Sequence, residues 1–170
     1  DGVISPSTLK ARLRPETVLV SLMLANGEVG TIEPIAELAA VAHEHGTLVH
    51  ADAIAAVGHM PVDVKALGVD ALSLAANQFY GPPGAAALYI KEGVRILPLL
   101  EGGGQEHGGR SGTENVPAIV GMGAAAEIAR RDLAQRIEML SQRIDKITYT
   151  NASQEARLIE MERRIGRSPY

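Results

Sequence analysis

Two short apolar runs, each followed directly by polar residues, most restrict what this chain can fold into. One runs from Val49 to Ala53, and the other covers Ala71–Leu74 and leads into the polar segment Ala76–Gly84. Runs of this length with few charges are typical of strands buried in a parallel sheet. Open α/β sheets bind ligands beyond the carboxyl ends of their strands. The two runs therefore predict a site where the polar residues begin.

The remaining pattern alternates strands with helices along the chain. Strands are predicted at Thr17–Leu24, Leu48–His50, Ala71–Leu74 and Ala85–Ile90. Helices are predicted at Ile4–Leu13, from Pro34 until Gly46 stops the helix, and at Val64–Leu67. The almost continuously apolar first strand is expected to be buried on both faces. Alternating elements favour right-handed crossovers, so the predicted fold class is α/β with a mostly parallel sheet and crossover helices. The glycine-rich segment Glu101–Thr113 is predicted to be a loop.

A long helix is predicted from Val116 to about Ile147. Its second half carries apolar residues at alternating spacings of four and three, a stripe formed by Leu133, Ile137, Leu140, Ile144 and Ile147. Packing against its own domain, a partner subunit or a second domain could each cover this stripe. A second helical piece is predicted at Gln154–Ile165, within the polar stretch from Asn151 to Tyr170.

Composition excludes several classes of function. The chain has 170 residues, enough for one domain, and its net charge of -4 gives no basic face for nucleic acid. It contains no apolar run near the roughly 20 residues that a membrane helix needs, and its start does not resemble a signal peptide. We therefore expect no membrane partner and a cytoplasmic location. Cysteine is absent, which removes disulfides, thiolate metal sites and thiol nucleophiles.

Several residues near the predicted strand ends have both a functional and a structural interpretation. Asp52 could pair with a protonated ring nitrogen, or it could cap a helix or form a structural ion pair. His50 could face a ligand or be a hydrogen-bonded core histidine. The loop Gly102–Thr113 could bind an anion or simply be flexible. His43 and His45 are expected to be solvated.

A metal site is not predicted. His50, Asp52 and His107 have no spacing typical of metal ligands.

Four ordered motifs resemble those of a known family. They are Asn26–Thr31, His50–Ala53, Ser73–Gly84, and Gly102–Glu106 followed by Arg110–Asn115. Their order and spacing resemble the cysteine desulfurases and selenocysteine lyases, which have the class-V aminotransferase fold and use pyridoxal phosphate (PLP). The resemblance is close from Thr17 to Leu133. It implies part of the large domain of a fold-type I PLP-dependent transferase.

The same resemblance implies a domain division and missing parts. Residues 1–132 would be a partial large domain, and residues 133–170 a long-helix continuation leading towards an absent small domain. The family's early segment, with phosphate donors and a ring-stacking histidine, would lie before Asp1. The catalytic cysteine would lie on a mobile loop beyond this chain.

Matching the motifs residue by residue implies a degenerate cofactor site. Asp52 matches the aspartate of the pyridinium nitrogen, His50 the histidine before it, and Thr113 the threonine that reaches the partner subunit's phosphate. The changed positions are Gly27 for an asparagine at the ring oxygen, Ala55 for a glutamine, Ala75 for a phosphate-binding serine, Asn77 for a histidine and Gln78 for the PLP lysine.

An amide at position 78 decides the expected chemistry. The nitrogen of Gln78 is delocalised into its carbonyl and cannot form a Schiff base, and no cysteine is present to accept sulfur. The resemblance implies removal of sulfur or selenium from cysteine or selenocysteine to give alanine. We predict that this chain does not catalyse it and does not bind PLP covalently. The alternative is a non-catalytic interaction module. Such a module would form a homodimer, form a heterodimer with an active homologue, or bind a sulfur-acceptor or scaffold protein.

Overall fold

The computed structural model describes residues 2–165, and its tertiary contacts divide the chain into two units after Arg131. The helices are α1 (Pro6–Arg12), α2 (Ile35–Glu44), α3 (Val64–Leu67) and α4 (Val116–Ile165). The strands are β1 (Leu19–Met23), β2 (Leu48–Asp52), β3 (Ala71–Ala75) and β4 (Ala86–Ile90), and short 3-10 turns occur at Ala76–Phe79 and Gln105–Gly108.

The four strands form one sheet in the order β1-β2-β3-β4. β1, β2 and β3 are parallel, with Met23 opposite Asp52 and Asp52 opposite Ser73. β4 is antiparallel to β3 because only the 76–79 turn and a short loop connect the two strands. The predicted α/β class with a mostly parallel sheet is confirmed.

Local sequence signals set the ends of the short helices. The Ser5 hydroxyl accepts a hydrogen bond from the backbone N–H of Thr8, and Pro6 occupies the first turn of α1. Asp63 caps α3 in the same way, and Gly68 ends that helix with a left-handed φ of 67°. These positions agree with the helices predicted from the sequence.

One face of the sheet carries the main core. Ile35, Leu38 and Ala42 of α2 are fully buried, as are Val49 and Ala51 of β2. α1 and α3 contact α2, so the three helices form a single layer. Apolar residues that recur about every 3.6 positions along a helix, or every second position along a strand, lie on one face of that element. The apolar faces of the helices and of the strands pack against each other.

The opposite face of the sheet is exposed. It carries the large apolar side chains Leu19, Met23, Leu48 and Leu88, which are 39–52% exposed. The prediction that Thr17–Leu24 is buried on both faces was therefore wrong for β1, in which Val20 is buried and its neighbours Leu19 and Ser21 are not. Within the described part of the first unit, the helix layer covers only the other side of the sheet.

A smaller core surrounds Phe79, the only phenylalanine of the chain. Its buried neighbours are alanines: Ala76 in the same turn, and Ala118, Ala125 and Ala129 on the first part of α4. Gly121 lets α4 approach closely, since a Cβ atom there would lie 2.7 Å from Cγ of Pro82. Small residues on this stretch of α4 therefore allow helix and turn to pack against each other.

α4 is a single helix of 50 residues. The predicted separation into a helix ending near Ile147 and a second piece at Gln154–Ile165 was wrong. Asn and Thr disfavour helix by only a few tenths of a kcal/mol each, and no Gly or Pro interrupts the stretch from 124 to 165. The hydroxyl of Thr150 donates a hydrogen bond to the carbonyl of Lys146, four residues earlier, at 2.8 Å, so this polar group has a partner within the helix. Residues 166–170 lie outside the described residues.

The apolar stripe on the second part of α4 is exposed. Ile137, Leu140, Ile144 and Ile147 are 43–61% exposed. What covers the stripe stays a prediction. Between residues 2 and 165, no helix combines the length and apolarity needed to cross a bilayer.

Gly58 supports the Phe79 turn and gives a test of the packing. It has a φ of +82°, and a Cβ atom would lie 2.5 Å from Cβ of Phe79. We expect Gly58→Ala to lower the free energy of unfolding by about 2–4 kcal/mol, because it adds both backbone strain and a clash. Gly46→Ala is the matched control, since Gly46 has a φ of +79° and open space around it.

Chemical denaturation of both variants, followed by circular dichroism, measures this difference. We expect the control to lose only about 1–2 kcal/mol. Equal losses in the two variants would show that contact with Phe79 contributes nothing.

Candidate functional site

Parallel strand pairing brings the predicted site residues to one edge of the sheet. β2 ends at Asp52, and β3 ends at Ala75 and continues directly into the Ala76–Phe79 turn. The loop after β1 reaches the same edge. A Cβ atom on Gly27 in that loop would lie 3.7 Å from Cβ of Ala55, in the turn after β2. Residues from three connections therefore meet beyond the carboxyl ends of the strands, as predicted.

His50 joins the three parallel strands on the exposed face of the sheet. Its Nδ1 lies 2.8 Å from the hydroxyl oxygen of Ser21, and its Nε2 lies 2.7 Å from that of Ser73. Both ring nitrogens therefore have hydrogen-bond partners within the protein. The arrangement matches the structural interpretation of His50, a histidine whose hydrogen bonds hold it in place.

Asp52 lies two residues further along β2, on the same face, and is half-buried. One carboxylate oxygen, Oδ1, accepts a hydrogen bond from the backbone N–H of Ile54 at 3.0 Å. This is a local turn cap, which agrees with the capping role considered for Asp52. The second oxygen, Oδ2, has no hydrogen-bond partner within residues 2–165 and is available to a ligand.

Asn77 and Gln78 both lie on the 76–79 turn with exposed side chains. A hydrogen bond holds the backbone of the turn: the carbonyl of Gln78 accepts it from Nε2 of His59 at 3.0 Å. Tyr80 ends the turn with a left-handed φ of 68°, and its ring lies edge-on to His59, 6.4 Å between centroids. The position of residue 78 is therefore fixed, whereas its side chain reaches solvent.

Thr113 lies apart from these residues in the glycine-rich segment. No hydrogen bond connects it with His50, Asp52, Asn77 or Gln78 among the described residues, and its side chain is exposed.

The glycine-rich segment is mostly loop, as predicted, and uses several of its polar groups internally. The N–H of Gly112 donates to Oε1 of Gln105 at 3.2 Å, and Arg110 donates to the carbonyl of Ser111 at 2.9 Å. The one regular element is the Gln105–Gly108 turn, in which Glu106 and His107 have left-handed φ angles. Its polar groups thus hold the loop itself together. An anion-binding role for it stays a prediction.

The resemblance places covalent attachment of PLP at position 78. Such attachment needs a primary amine, and residue 78 supplies an amide. The chain has four lysines. Lys65 is in α3, just before β3, and Lys91 follows β4, which places both at the opposite edge of the sheet. Lys10 is in α1, and Lys146 is in the second unit.

An open cleft of about 250 Å³ lies beside the end of β1. Its walls are mainly apolar and include Leu22, Met23 and Val29. It contains none of the five predicted site residues. Among the described residues, no group of three His, Cys, Asp or Glu side chains is placed to hold a metal ion.

Comparison with known proteins assigns the chain to a family. The family model for class-V aminotransferases matches residues 1–163. The chain belongs to the class-V aminotransferase family. Within this family, it is 51% identical over 142 residues to the cysteine desulfurase IscS of Dictyoglomus turgidum and 47% identical over 146 residues to that of Methanosarcina thermophila. These alignments cover 84% and 86% of the chain but only 36% of each relative.

Solved structures of the class-V aminotransferase family give the same assignment. A NifS-like protein matches with a TM-score of 0.76 and 41% identity, over 85% of this chain and 42% of its own. A NifS-like protein from Rickettsia africae matches with a TM-score of 0.79 and 32% identity, over 88% and 43% of the two chains. The described α/β sheet therefore has the fold-type I architecture, and the resemblance to cysteine desulfurases is confirmed. The family implies PLP as cofactor.

Asp70 forms a buried cluster that sequence reasoning missed. It is 4% exposed and lies immediately before β3, at the opposite edge of the sheet from Asp52. Its Oδ2 accepts hydrogen bonds from Nε2 of His43 at 2.7 Å and the backbone N–H of Val49 at 2.9 Å, and Oδ1 accepts one from Lys91 at 3.2 Å. His43 is exposed, as expected, but it also bonds this carboxylate. No local motif links three residues so far apart in sequence.

Burial by itself raises the pKa of Asp70, but the hydrogen bonds from His43, Val49 and Lys91 outweigh it and hold the pKa below its ordinary value. A carboxyl whose pKa is lower in the folded state stabilises the fold above its unfolded pKa, about 3.9. That stabilisation is lost as the pH falls through the folded pKa.

We expect Asp70→Asn to lower the free energy of unfolding at pH 6 by about 1–3 kcal/mol, because it removes the charge that His43 and Lys91 contact. The difference from the unsubstituted protein should shrink as the pH falls below about 4. Denaturation at a series of pH values measures it, with Glu44→Gln, an exposed carboxyl on α2, as control. A difference that stays constant down to pH 2 would contradict the role given to the Asp70 carboxylate.

Proposed function

We propose that this chain is a cysteine-desulfurase-like large-domain segment that keeps the class-V aminotransferase fold and has lost PLP chemistry. The chain spans about 36% of the length of the curated relatives that it matches. The single observation that carries the proposal is the residue on the turn after β3. At the position that matches the family's PLP lysine, this chain has Gln78.

The position of Gln78 supports this proposal more strongly than the sequence change alone. The turn that carries it accepts a hydrogen bond from His59 and buries its own Phe79, so residue 78 is held at the end of the sheet where β2 ends with Asp52. Neither Lys65 nor Lys91 is at that edge, so neither can substitute there for the missing amine. An amide cannot attack an aldehyde or transfer a proton between carbon centres.

Further positions at the same edge lack the hydrogen-bonding groups that the resemblance expects. Gly27 and Ala55, which face each other, replace an asparagine and a glutamine, and Ala75 replaces a serine. With Asn77 included, the lost hydrogen bonds would weaken PLP binding by about 2–6 kcal/mol. His50, Asp52 and Thr113 keep the residue types of the family, so part of the non-covalent site would remain.

We expect the purified chain to form no site-specific imine after incubation with PLP and to release no sulfide from cysteine. Borohydride reduction followed by peptide mass mapping detects an imine on any of the four lysines. An intact cysteine desulfurase under the same conditions is the positive control. Stoichiometric labelling of one lysine, or sulfide release, would contradict the loss of PLP chemistry.

A second candidate function is a non-catalytic interaction module. The observation that favours it is the exposed face of the sheet with Leu19, Met23, Leu48 and Leu88. Parallel sheets are normally covered on both faces. An active homologue, in a heterodimer, or a sulfur-acceptor or scaffold protein could cover this face. A cytoplasmic location stays a prediction from the sequence.

Mixing the chain with a full-length cysteine desulfurase tests the second candidate. We expect co-sedimentation, weakened at least about tenfold by Leu48→Asp, because a charge would be buried in an apolar contact. Lys65→Asp introduces the same side chain on the helix-covered side and should have no effect. Absence of association, or equal weakening by both variants, would contradict binding through the sheet face.

A further inference from the structure

We propose that Asn26 is a site of spontaneous covalent modification, at which the backbone nitrogen of Gly27 attacks the side-chain amide and converts Asn26 into aspartate or isoaspartate. Residues 24–34 form the loop that connects β1 to α2, so the site lies within the chain and at the end of the sheet where Asp52 ends β2. Neither Gln78 nor a lysine takes part in this reaction. It is therefore independent of the proposed loss of PLP chemistry.

Asn26 is the only asparagine of the chain that precedes a glycine. The other three, Asn77, Asn115 and Asn151, precede glutamine, valine and alanine, whose Cβ atoms hinder the approach of the following backbone nitrogen. Glycine has no Cβ atom, which allows its backbone to approach a reacting group closely. Gly27 is exposed, and no hydrogen bond engages its N–H within residues 2–165. Its nitrogen is therefore an unhindered nucleophile.

Two backbone N–H groups of the loop donate to the side-chain oxygen of Asn26. Oδ1 accepts hydrogen bonds from the N–H of Glu28 at 2.9 Å and from the N–H of Val29 at 3.0 Å. Negative charge develops on this oxygen when a nitrogen adds to the amide carbon, and donors that are already in place stabilise that charge. The turn therefore activates the carbon atom that Gly27 attacks.

The nitrogen end of the same amide is held only weakly. Nδ2 of Asn26 donates to Sδ of Met23 at 3.6 Å, and a thioether is a weak acceptor. The backbone of the loop is held more firmly: the N–H of Asn26 donates to the carbonyl of Thr31 at 2.8 Å, and the N–H of Gly30 donates to the carbonyl of Asn26 at 3.0 Å. The loop thus keeps the amide in place, while little opposes the departure of its nitrogen.

The reaction needs water as its co-reactant and neither an oxidant nor a reductant. The bond between the nitrogen of Gly27 and Cγ of Asn26 forms, the bond between Cγ and Nδ2 breaks, and Nδ2 leaves as ammonia with the amide proton of Gly27. Water then opens the cyclic imide. Cleavage between the nitrogen and Cγ gives aspartate, whereas cleavage between the nitrogen and the backbone carbonyl carbon gives isoaspartate.

Either product adds a carboxylate to the end of the sheet where the predicted site lies. The loop already contains Glu28, and Gly27 faces Ala55 in the turn after β2. Another negative charge there disfavours anions such as a phosphate group and favours cations. Isoaspartate also moves the carbonyl that accepts from Glu28 and Val29 into the main chain and lengthens the backbone of the turn. The modification therefore changes both the charge and the shape of this loop.

Peptide mapping by mass spectrometry, after incubation of the full chain at mildly alkaline pH, tests the modification. We expect the peptide with Asn26 to gain about 1 Da and to separate into aspartate and isoaspartate forms, while the peptides with Asn77 and Asn115 stay unchanged. Gly27→Ala should slow the conversion at least about tenfold, because the added Cβ atom keeps the nitrogen from the amide carbon.

The Gly27→Ala variant is expected to fold normally. Gly27 does not have a left-handed φ, and a Cβ atom there would lie at an ordinary contact distance of 3.7 Å from Cβ of Ala55. Circular dichroism checks the fold. Absence of a mass gain at Asn26, or equal rates in the variant and the unsubstituted chain, would overturn the proposal.

A comparison of the folded chain with the chain unfolded in guanidinium chloride tests activation by the turn. Unfolding removes the two N–H donors from Oδ1 of Asn26 and leaves the Asn26-Gly27 dipeptide unchanged. We expect the folded chain to convert about tenfold faster at the same pH. A folded chain that converts no faster than the unfolded one would show that the turn does not activate Asn26 and would overturn the proposal.

Discussion

The parallel pairing of β2 with β3 is the contact on which the rest of the site depends. Asp52 lies opposite Ser73, and the N–H of Ala53 donates to the carbonyl of Ser73 at 3.0 Å. Because β2 and β3 are parallel, the turn with Gln78 follows β3 at the same end of the sheet as Asp52. A shift by one residue would move every side chain of a strand to the other face.

Fold and chemistry depend on different residues in this protein. The fold is held by buried apolar side chains, by Gly58 beneath Phe79, and by the Asp70 cluster at the far edge of the sheet. The chemistry expected of the family depends on polar groups at the ligand edge, where Asn77 and Gln78 are exposed. Replacing an exposed side chain costs little stability. The family architecture can therefore persist when the amine required for PLP attachment is absent.

The exposed apolar surfaces are as informative as the site. One lies on the sheet face around Leu48, and the other is the row on α4 formed by Ile137, Leu140, Ile144 and Ile147. Scattered exposed apolar residues need no explanation, but ordered rows at strand or helix spacing indicate contact with another element.

The sequence by itself determined the alternating elements, the bounds of α3, the polar residues at the strand ends and the family. These depend on local periodicity, capping residues and turns, which a short segment encodes. Only the tertiary structure decided that β1 is exposed on one face, that α4 continues through Asn151, and that His43 meets Asp70. The burial of β1 depends on which layers cover the sheet, and the continuity of α4 depends on the sum of many small helix propensities. The Asp70 contacts join residues that are 21–27 positions apart in the sequence. None of these three is encoded within a single local segment.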